Sequence, residues 1–411
     1  MDEFRLFVGI DWASQAHRVC VVTQVGEGIL DKEFEHSGDG LSALADTLTS
    51  LSDGNPQVVA VSIETSRGAV VETLLERGFA VHALNPKQLD RLRDRHTVAG
   101  AKDDRRDAFV LADSLRNDRH LYRRLEIDDP LVIQLRETSR EDVELSQEEN
   151  RLANRLREQL HRYFPALLKL SPAADEVWLW QLLELAPTPD AARRLRRPKL
   201  DELLRRARIR RISGAELREV LQSPSVQVAP GTTEACSDHV LRLVPRLKLV
   251  AAQRASVTSK LDALLEQLTE EVPGQKSEHR DAAILLSLPG VGRVVCATML
   301  AEASDALRAR DYAALRALGG AAPVTKQSGR SRRVQMRYGC SWRLRHALYH
   351  WARVASQNDP AARKRYAAAR ARGQTHGRAL RGIADWLLRI ATSMLRSGTL
   401  YDPARLAGMP A

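Results

Sequence analysis

Four short apolar runs open the chain: Phe7-Val8-Gly9-Ile10, Val19-Cys20-Val21-Val22, Val58-Val59-Ala60-Val61 and Ala80-Val81-His82-Ala83-Leu84, each bounded by polar or glycine-rich turns. Runs of this length between turn signals fit buried strands. Between them, residues 41–51 and 69–75 have helical spacing, and the second ends at Arg77-Gly78, where a left-handed glycine suits a C-cap. Strands alternating with helices predict an α/β domain over residues 1–125.

Beyond it the strand pattern stops. Residues 131–170 read as a long charged helix, with Leu145, Leu152, Leu156 and Tyr163 at spacings of four or seven and an end at Phe164-Pro165. In a second long helix Leu243, Leu247, Val250, Val257, Leu261, Leu264 and Leu268 keep a four-three alternation broken only by Arg254, the pattern of a coiled-coil seam. Such helices pair either within one chain or between chains, so residues 126–275 are expected to form a helical coiled-coil region that oligomerises. Within it, the basic run 193–211 reads as a solvated face, and residues 223–231, with Pro224 and Pro230, as a loop. A third domain, 276–411, starts with a helix, the turn Leu288-Pro289-Gly290-Val291-Gly292 and a second helix, then continues basic and mostly helical. The expected fold class is α/β plus α.

Composition narrows the setting. Of 411 residues, 44% are hydrophobic, yet no apolar run approaches the roughly 18 to 20 residues of a membrane span. The start, MDEFRLFVGID, lacks the basic-then-apolar-then-small order of a secretory signal. Four distant cysteines without CxxC spacing argue against a disulfide framework and a thiolate zinc site. A cytoplasmic protein with reduced thiols is expected.

Charge is unevenly spread. The chain holds 63 basic and 52 acidic residues, a net +11. Residues 312–384 alone hold sixteen Lys or Arg and one acid, Asp359, which leaves 47 basic and 51 acidic residues elsewhere. A +15 segment beside a −4 remainder assigns a polyanionic partner to the C-terminal part.

The acids of the first domain have a pattern of their own. Asp11 follows the first strand and Glu64 the third, so both carboxylates sit at strand ends. In Lys102-Asp103-Asp104-Arg105-Arg106-Asp107, Asp104 and Asp107 are three apart and share a helix face. Singly, such acids are strand-end caps or first-turn aspartates suited to the helix dipole. Together they make a hard, oxygen-only set of the kind that holds Mg²⁺ or Mn²⁺, usually in pairs, for phosphodiester chemistry.

In the basic part, residues 285–303 resemble a helix-hairpin-helix, whose turn, here Gly290 and Gly292, lets backbone N–H groups approach a DNA phosphate. The alternative is a packing unit with Gly290 as a C-cap. Residues 321–333 read as a loop of small and basic residues, and Lys326, Arg330, Arg332, Arg333, Arg337, Arg343 and Arg345 are candidate nucleic-acid contacts in a stretch without acids from Tyr312 to Asn358. By chemistry alone Ser328 is a turn serine beside glycine. It becomes a phosphoryl-transfer nucleophile only where cations neutralise the phosphate, as Lys326, Arg330, Arg332 and Arg333 can. His346 and His350, four apart, have no third metal ligand in view and suit a packed or nucleic-acid-facing helix. Trp342, Tyr349 and Trp351 are either core or base-stacking residues, core being the commoner use.

The order Gly9-Ile10-Asp11, Ser62-Ile63-Glu64-Thr65, Asn85-Pro86 and Lys102-x-Asp104-x-x-Asp107-Ala108 resembles the RuvC-like domain of the DEDD insertion-sequence transposases, the IS one-ten family that includes Piv-type DNA invertases. A second block, Gly319-Gly320-x-x-Pro323-x-x-x-Gln327-Ser328-Gly329, then Gly339 and Leu344-Arg345-x-x-Leu348-Tyr349, resembles the same family. The resemblance implies an RNase H-like fold for the first domain, a metal-binding tetrad of Asp11, Glu64, Asp104 and Asp107, and Ser328 as catalytic nucleophile, with Ser331 as fallback. Asp103 stands where the family commonly has Thr, so Asp103 competes with Asp104 as third ligand, and the spacing to Asp107 favours Asp104. The implied function is DNA transposition by site-specific recombination on target and donor DNA, guided by a structured non-coding RNA. A site assembled across subunits would need at least a dimer, and a tetramer for two DNA duplexes. The competing readings are a junction resolvase or nuclease that uses water, and a non-catalytic architectural nucleic-acid-binding protein.

Overall fold

In the computed structural model, which describes residues 4–84, 88–92, 103–270 and 277–403, the chain divides into two compact units, Met1–Asp128 and Asp129–Ala411. The motif residues Asn85, Pro86 and Lys102 lie outside the described residues.

The first unit is built on β1 (Leu6–Asp11), β2 (Ala16–Thr23), β3 (Gly28–Glu35), β4 (Val59–Ile63), β5 (Ala80–Ala83) and β6 (Arg123–Arg124), in the sheet order β3-β2-β1-β4-β5-β6. The first three strands form an antiparallel meander, β4 and β5 run parallel to β1 and to each other, and β6 is antiparallel to β5. Helices α1 (Gly38–Leu51) and α2 (Ala69–Glu76) cover the face that carries Val8, Ile10, Val61 and Ile63. Helix α3 (Asp104–Asn117) covers the other face, packing Ala108, Leu111 and Leu115 on Phe7, Val22 and Ala60. Because β1 and β4 are buried on both faces, they read as continuous apolar runs.

All four expected strands form, and Gly78 follows α2 with φ +84° as the C-cap reading requires. Two strands were not expected. β3, GILDKEFE, is a sheet edge with only Phe34 buried, so it has no apolar run to read. β6 is two exposed arginines.

Among its described residues the second unit is helical apart from one hairpin. In order come α4 (Pro130–Tyr163), α5 (Val177–Leu185), α6 (Pro189–Arg193), α7 (Arg197–Arg206), α8 (Gly214–Gln222) and α9 (Thr232–Thr269). Then follow α10 (Ser277–Leu286), α11 (Arg293–Glu302), α12 (Ser304–Arg308), α13 (Tyr312–Leu318), α14 (Trp342–Asn358), α15 (Pro360–Ala371) and α16 (His376–Ser397). The long helices α4 and α9 each pass through two cores. One gathers Leu152, Leu156 and Tyr163 of α4, Trp178 and Trp180 of α5, and Leu243 and Leu247 of α9. The other gathers Val132 and Leu135 of α4, Leu261, Leu264 and Leu268 of α9, Trp351 of α14, and Leu387 and Leu388 of α16. Between the two cores lies Arg254, the break in the seam, which reaches Asp142 at 3.4 Å and Glu149 at 2.8 Å on α4. Of the two pairings that the spacing allowed, the seam is therefore filled within the chain.

Residues 321–333 correct the loop expectation: β7 (Val324–Ser328) and β8 (Ser331–Gln335) pair as an antiparallel hairpin. Its residues from Thr325 onward are exposed, so no buried alternation marks it in the sequence. All four cysteines are free thiols, and Cys20, Cys236 and Cys296 are buried. Among the described residues no helix is long and apolar enough to cross a membrane.

Candidate functional site

The pairing of β1 with β4 sets the first part of the site. Gly9 pairs with Ser62 and Ile10 with Ile63, so Asp11 and Glu64 occupy the next positions on neighbouring parallel strands, about 4.8 Å apart between backbones. Both are half-buried. The helix that carries the other two acids lies on β1 because Gly9 has no side chain. A Cβ there would stand 1.9 Å from the carbonyl oxygen of Ala108 and 2.5 Å from the amide of Ala112. Asp107 is thus one residue before the point where α3 touches Gly9, itself two residues before Asp11.

Within the first turn of α3 the acids divide their work. Asp103 is the N-cap, its carboxylate accepting from the Arg105 amide at 3.2 Å. Asp104 is exposed, and Asp107 is 1% exposed. Among the described residues no three carboxylate, imidazole or thiol groups gather closely enough to hold a metal ion. The structure thus brings Asp11 and Glu64 to adjoining strand ends and α3 onto β1, without closing the four acids on one point.

Sequence reading missed Asp31. From edge strand β3 it accepts from Arg18 at 2.6 Å and pairs also with Arg105 of α3. Those cations, Arg18's hydrogen bond above all, hold its carboxyl below the ordinary carboxylate range. Asp31 therefore occupies arginines on the α3 side of the sheet. With Cys20, Asp103, Arg106 and Phe109 it lines an open groove of about 560 Å³. The only signal available for it was a polar strand, which alternation does not detect.

The second part of the site is the hairpin. Ser328 ends β7 and pairs with Ser331, while Lys326 pairs with Arg333 and Gln327 with Arg332. Cross-strand partners share a face and neighbours along a strand alternate, so Ser328, Ser331, Lys326 and Arg333 lie on one face and Gln327 and Arg332 on the other. Gly329 takes the left-handed backbone, φ +53°, that the two-residue turn needs.

Three of the expected nucleic-acid contacts have other work. Arg345 donates to the carbonyl of Arg337, just beyond β8, and Arg337 donates to the carbonyl of Ala322, just before β7, at 3.3 Å. Together they close the base of the hairpin onto α14. Arg343 lies over the Trp342 ring at 4.8 Å and reaches Glu144 of α4 at 3.4 Å. Lys326, Arg330, Arg332 and Arg333 remain exposed on the hairpin.

In the helix-hairpin-helix-like turn the two glycines differ. Gly290, at φ +80°, is pressed against α14: a Cβ would meet the Ala355 amide at 2.8 Å, and the Trp351 indole N–H donates to the Pro289 carbonyl at 2.9 Å. Gly292, the N-cap of α11, is exposed with open space beside it. Packing therefore accounts for Gly290, though not as a C-cap: α10 ends at Leu286, and Gly290 lies in the turn closed by the Val291 amide on the Leu288 carbonyl. Trp351 is core, whereas Trp342 is 49% and Tyr349 37% exposed.

Comparison with known proteins follows the same two segments. Residues 8–165 match a family model for DEDD transposases of IS110 type, and residues 282–367 a model described as transposase IS116/IS110/IS902 family. The mini-circle protein described as a transposase for IS117 of Streptomyces coelicolor is 31% identical over 412 residues, covering 98% of this chain and 97% of its own. The 43.6 kDa protein of insertion element IS110 from the same organism is 31% identical over 414 residues, 99% of this chain and 98% of that one. A Sinorhizobium fredii protein described as transposase y4uE is 50% identical over 211 residues, which span 51% of this chain and 59% of that protein.

Proposed function

Because this chain belongs to the IS116/IS110/IS902 family of transposases, enzymes that cleave and transfer DNA strands, we propose that it does so with Ser328 as nucleophile and an RNase H-like unit as carrier of the metal-binding acids. The observation that carries this reading is the hairpin: Ser328 stands exposed at a strand end, on one face with Lys326 and Arg333. Two cations beside the hydroxyl neutralise an incoming phosphodiester and stabilise charge on its oxygens. The Oγ gives up its proton, forms an ester bond to phosphorus and releases one strand as a hydroxyl, which can later attack the ester and reseal a strand.

The antiparallel β1-β2-β3 meander with β4 and β5 parallel to β1 supports the RNase H-like reading. Asp11, Glu64, Asp104 and Asp107 would hold Mg²⁺ or Mn²⁺. Their fit rests on an oxygen-only donor set and on the adjoining strand ends of Asp11 and Glu64. Such ions, when bound, supply charge neutralisation at the reacting phosphate. In this reading Asp104, on one helix face with Asp107, is the third ligand, and Asp103 serves as the cap of α3.

The acids belong to one compact unit and Ser328 to the other. Either the fold of one chain or a second protomer must bring them together; our reading is the second, a dimer, or a tetramer for two duplexes, with a structured RNA as its guide to target and donor. Mixing Asp11→Ala and Ser328→Ala protomers restores activity if the site is shared, and recombination unaffected by removal of all co-purifying RNA would exclude guidance. The direct test is denaturant-quenched cleavage of DNA carrying the element end. A protein–DNA adduct mapping to Ser328, lost in Ser328→Ala and kept in Ser331→Ala, is expected. Undiminished cleavage by Ser328→Ala would instead favour water as nucleophile.

A further inference from the structure

One group of side chains in the basic part has no role in the chemistry above. His346, Tyr349 and His350 stand exposed on α14, and His376 stands exposed as the first residue of α16. The rings form a continuous edge-to-face chain. His346 and His350 have centroids 5.0 Å apart, Tyr349 and His350 5.5 Å, Tyr349 and His376 6.3 Å, and His376 and Tyr366 of α15 5.9 Å. The Tyr366 hydroxyl anchors His376, 2.8 Å from its Nδ1, while the Tyr349 hydroxyl stands off at 3.4 Å from its Nε2.

Three helices thus contribute to a surface of preset rings. Its charge is one-sided. Arg353 lies one turn along α14 from Tyr349 and His350, and Arg370 one turn along α15 from Tyr366, donating to the carbonyl of Gln374 just before His376. Residues 342–384 include a single acid, Asp359, which caps α15 by accepting from Ala362 at 2.7 Å. Partial desolvation, with His346 and Arg353 nearby, lowers the pKa of His350.

The chemistry narrows the occupant. Both nitrogens of His376 face phenol hydroxyls, and no third metal-binding group joins His346 and His350 among the described residues, so a metal centre is disfavoured. Flat rings amid arginines without acids suit a strand whose bases are unpaired: bases stack on the rings and phosphates meet the cations. A duplex, whose bases already stack on one another, gains nothing from the rings.

We propose that Tyr349, His350 and His376, braced by His346 and Tyr366, form a stacking platform for unpaired nucleotides of a nucleic-acid strand bound to the C-terminal unit. The platform goes beyond the cleavage site and depends on neither Ser328 nor the acids. It rests only on a nucleic-acid partner for this unit.

The test is fluorescence anisotropy of the full chain with labelled oligonucleotides of one sequence: single-stranded, the same strand with abasic sites, and the duplex, each as DNA and as RNA. Tyr349→Ala should weaken single-strand binding on the order of tenfold, leave the abasic strand and the duplex unchanged, and leave amide exchange in α14 and α16 as it was. Tyr349→Phe, which keeps the ring, should bind as the original chain does. A loss confined to RNA or to DNA identifies the strand held there. Equal weakening toward intact and abasic strands, or no weakening, would overturn the platform. Failure of the original chain to bind any oligonucleotide would instead refute the nucleic-acid partner itself.

Discussion

Adding one methyl group at Gly9 tests how the acids are brought together. In Gly9→Ala the new Cβ would stand 1.9 Å from the Ala108 carbonyl oxygen, 2.5 Å from the Ala112 amide and 2.9 Å from the Leu111 Cβ. Two of these three neighbours are backbone atoms of α3, so no rotamer change relieves them, and α3 must retreat by more than about 1 Å to reach ordinary van der Waals separation. Forcing an extra methyl into a packed interface costs about 1–3 kcal/mol, and rigid neighbours put this site at the upper end. The retreat also opens a gap beneath Ala108, Leu111 and Leu115, which are fully buried on this face; a gap of about 0.5–1 Å forfeits a quarter to a half of each contact. A global midpoint does not say which of the two compact units lost stability, so amide exchange read peptide by peptide is the right measure. About 3 kcal/mol corresponds to roughly a hundredfold faster exchange in β1 and α3. Peptides of the second unit should keep their protection, and strand cleavage should fall as Asp104 and Asp107 move away from β1. Unchanged protection in α3, or an equal loss in both units, would refute the close approach through Gly9 as the device that sets the acids.

Three further outcomes are expected. Asp103→Asn keeps a good cap and should retain stability and cleavage, whereas Asp104→Asn should abolish metal-dependent cleavage with α3 intact by circular dichroism; the reverse order would make Asp103 the ligand. Arg345→Ala should speed amide exchange in residues 324–335 and reduce the cleavage rate at saturating DNA more than the affinity for it. A pure affinity loss would return Arg345 to phosphate contact. Asp31, held below its ordinary range by Arg18 and Arg105, contributes stability in full above about pH 4, the unfolded carboxylate value, and loses it as pH falls through the lower folded value. Acid unfolding of the first unit followed in Asp31→Asn should therefore flatten in that window, and an unaltered profile would sink the assignment.

The sequence alone determined the elements whose burial is complete. β1 and β4 are buried on both faces, so their apolar runs survive any ambiguity of register, and the Leu243 to Leu268 seam is legible because a helix must bury such a stripe. It also determined the polarity of charge and the order of acids along the chain, which need no coordinates. What depends on contacts between distant residues emerges only once the chain is folded. β3 and the β7–β8 hairpin have backbone pairing but almost no buried side chains, so nothing in their hydrophobicity betrays them. Arg337 and Arg345 look like any other cations of a basic tract, and it is the carbonyls of Ala322 and Arg337 that make them a clasp. Trp351 and Trp342 differ only in helix phase, yet one fills a core and the other faces solvent. Residue type fixes what a side chain can do, and packing selects which of those things it does.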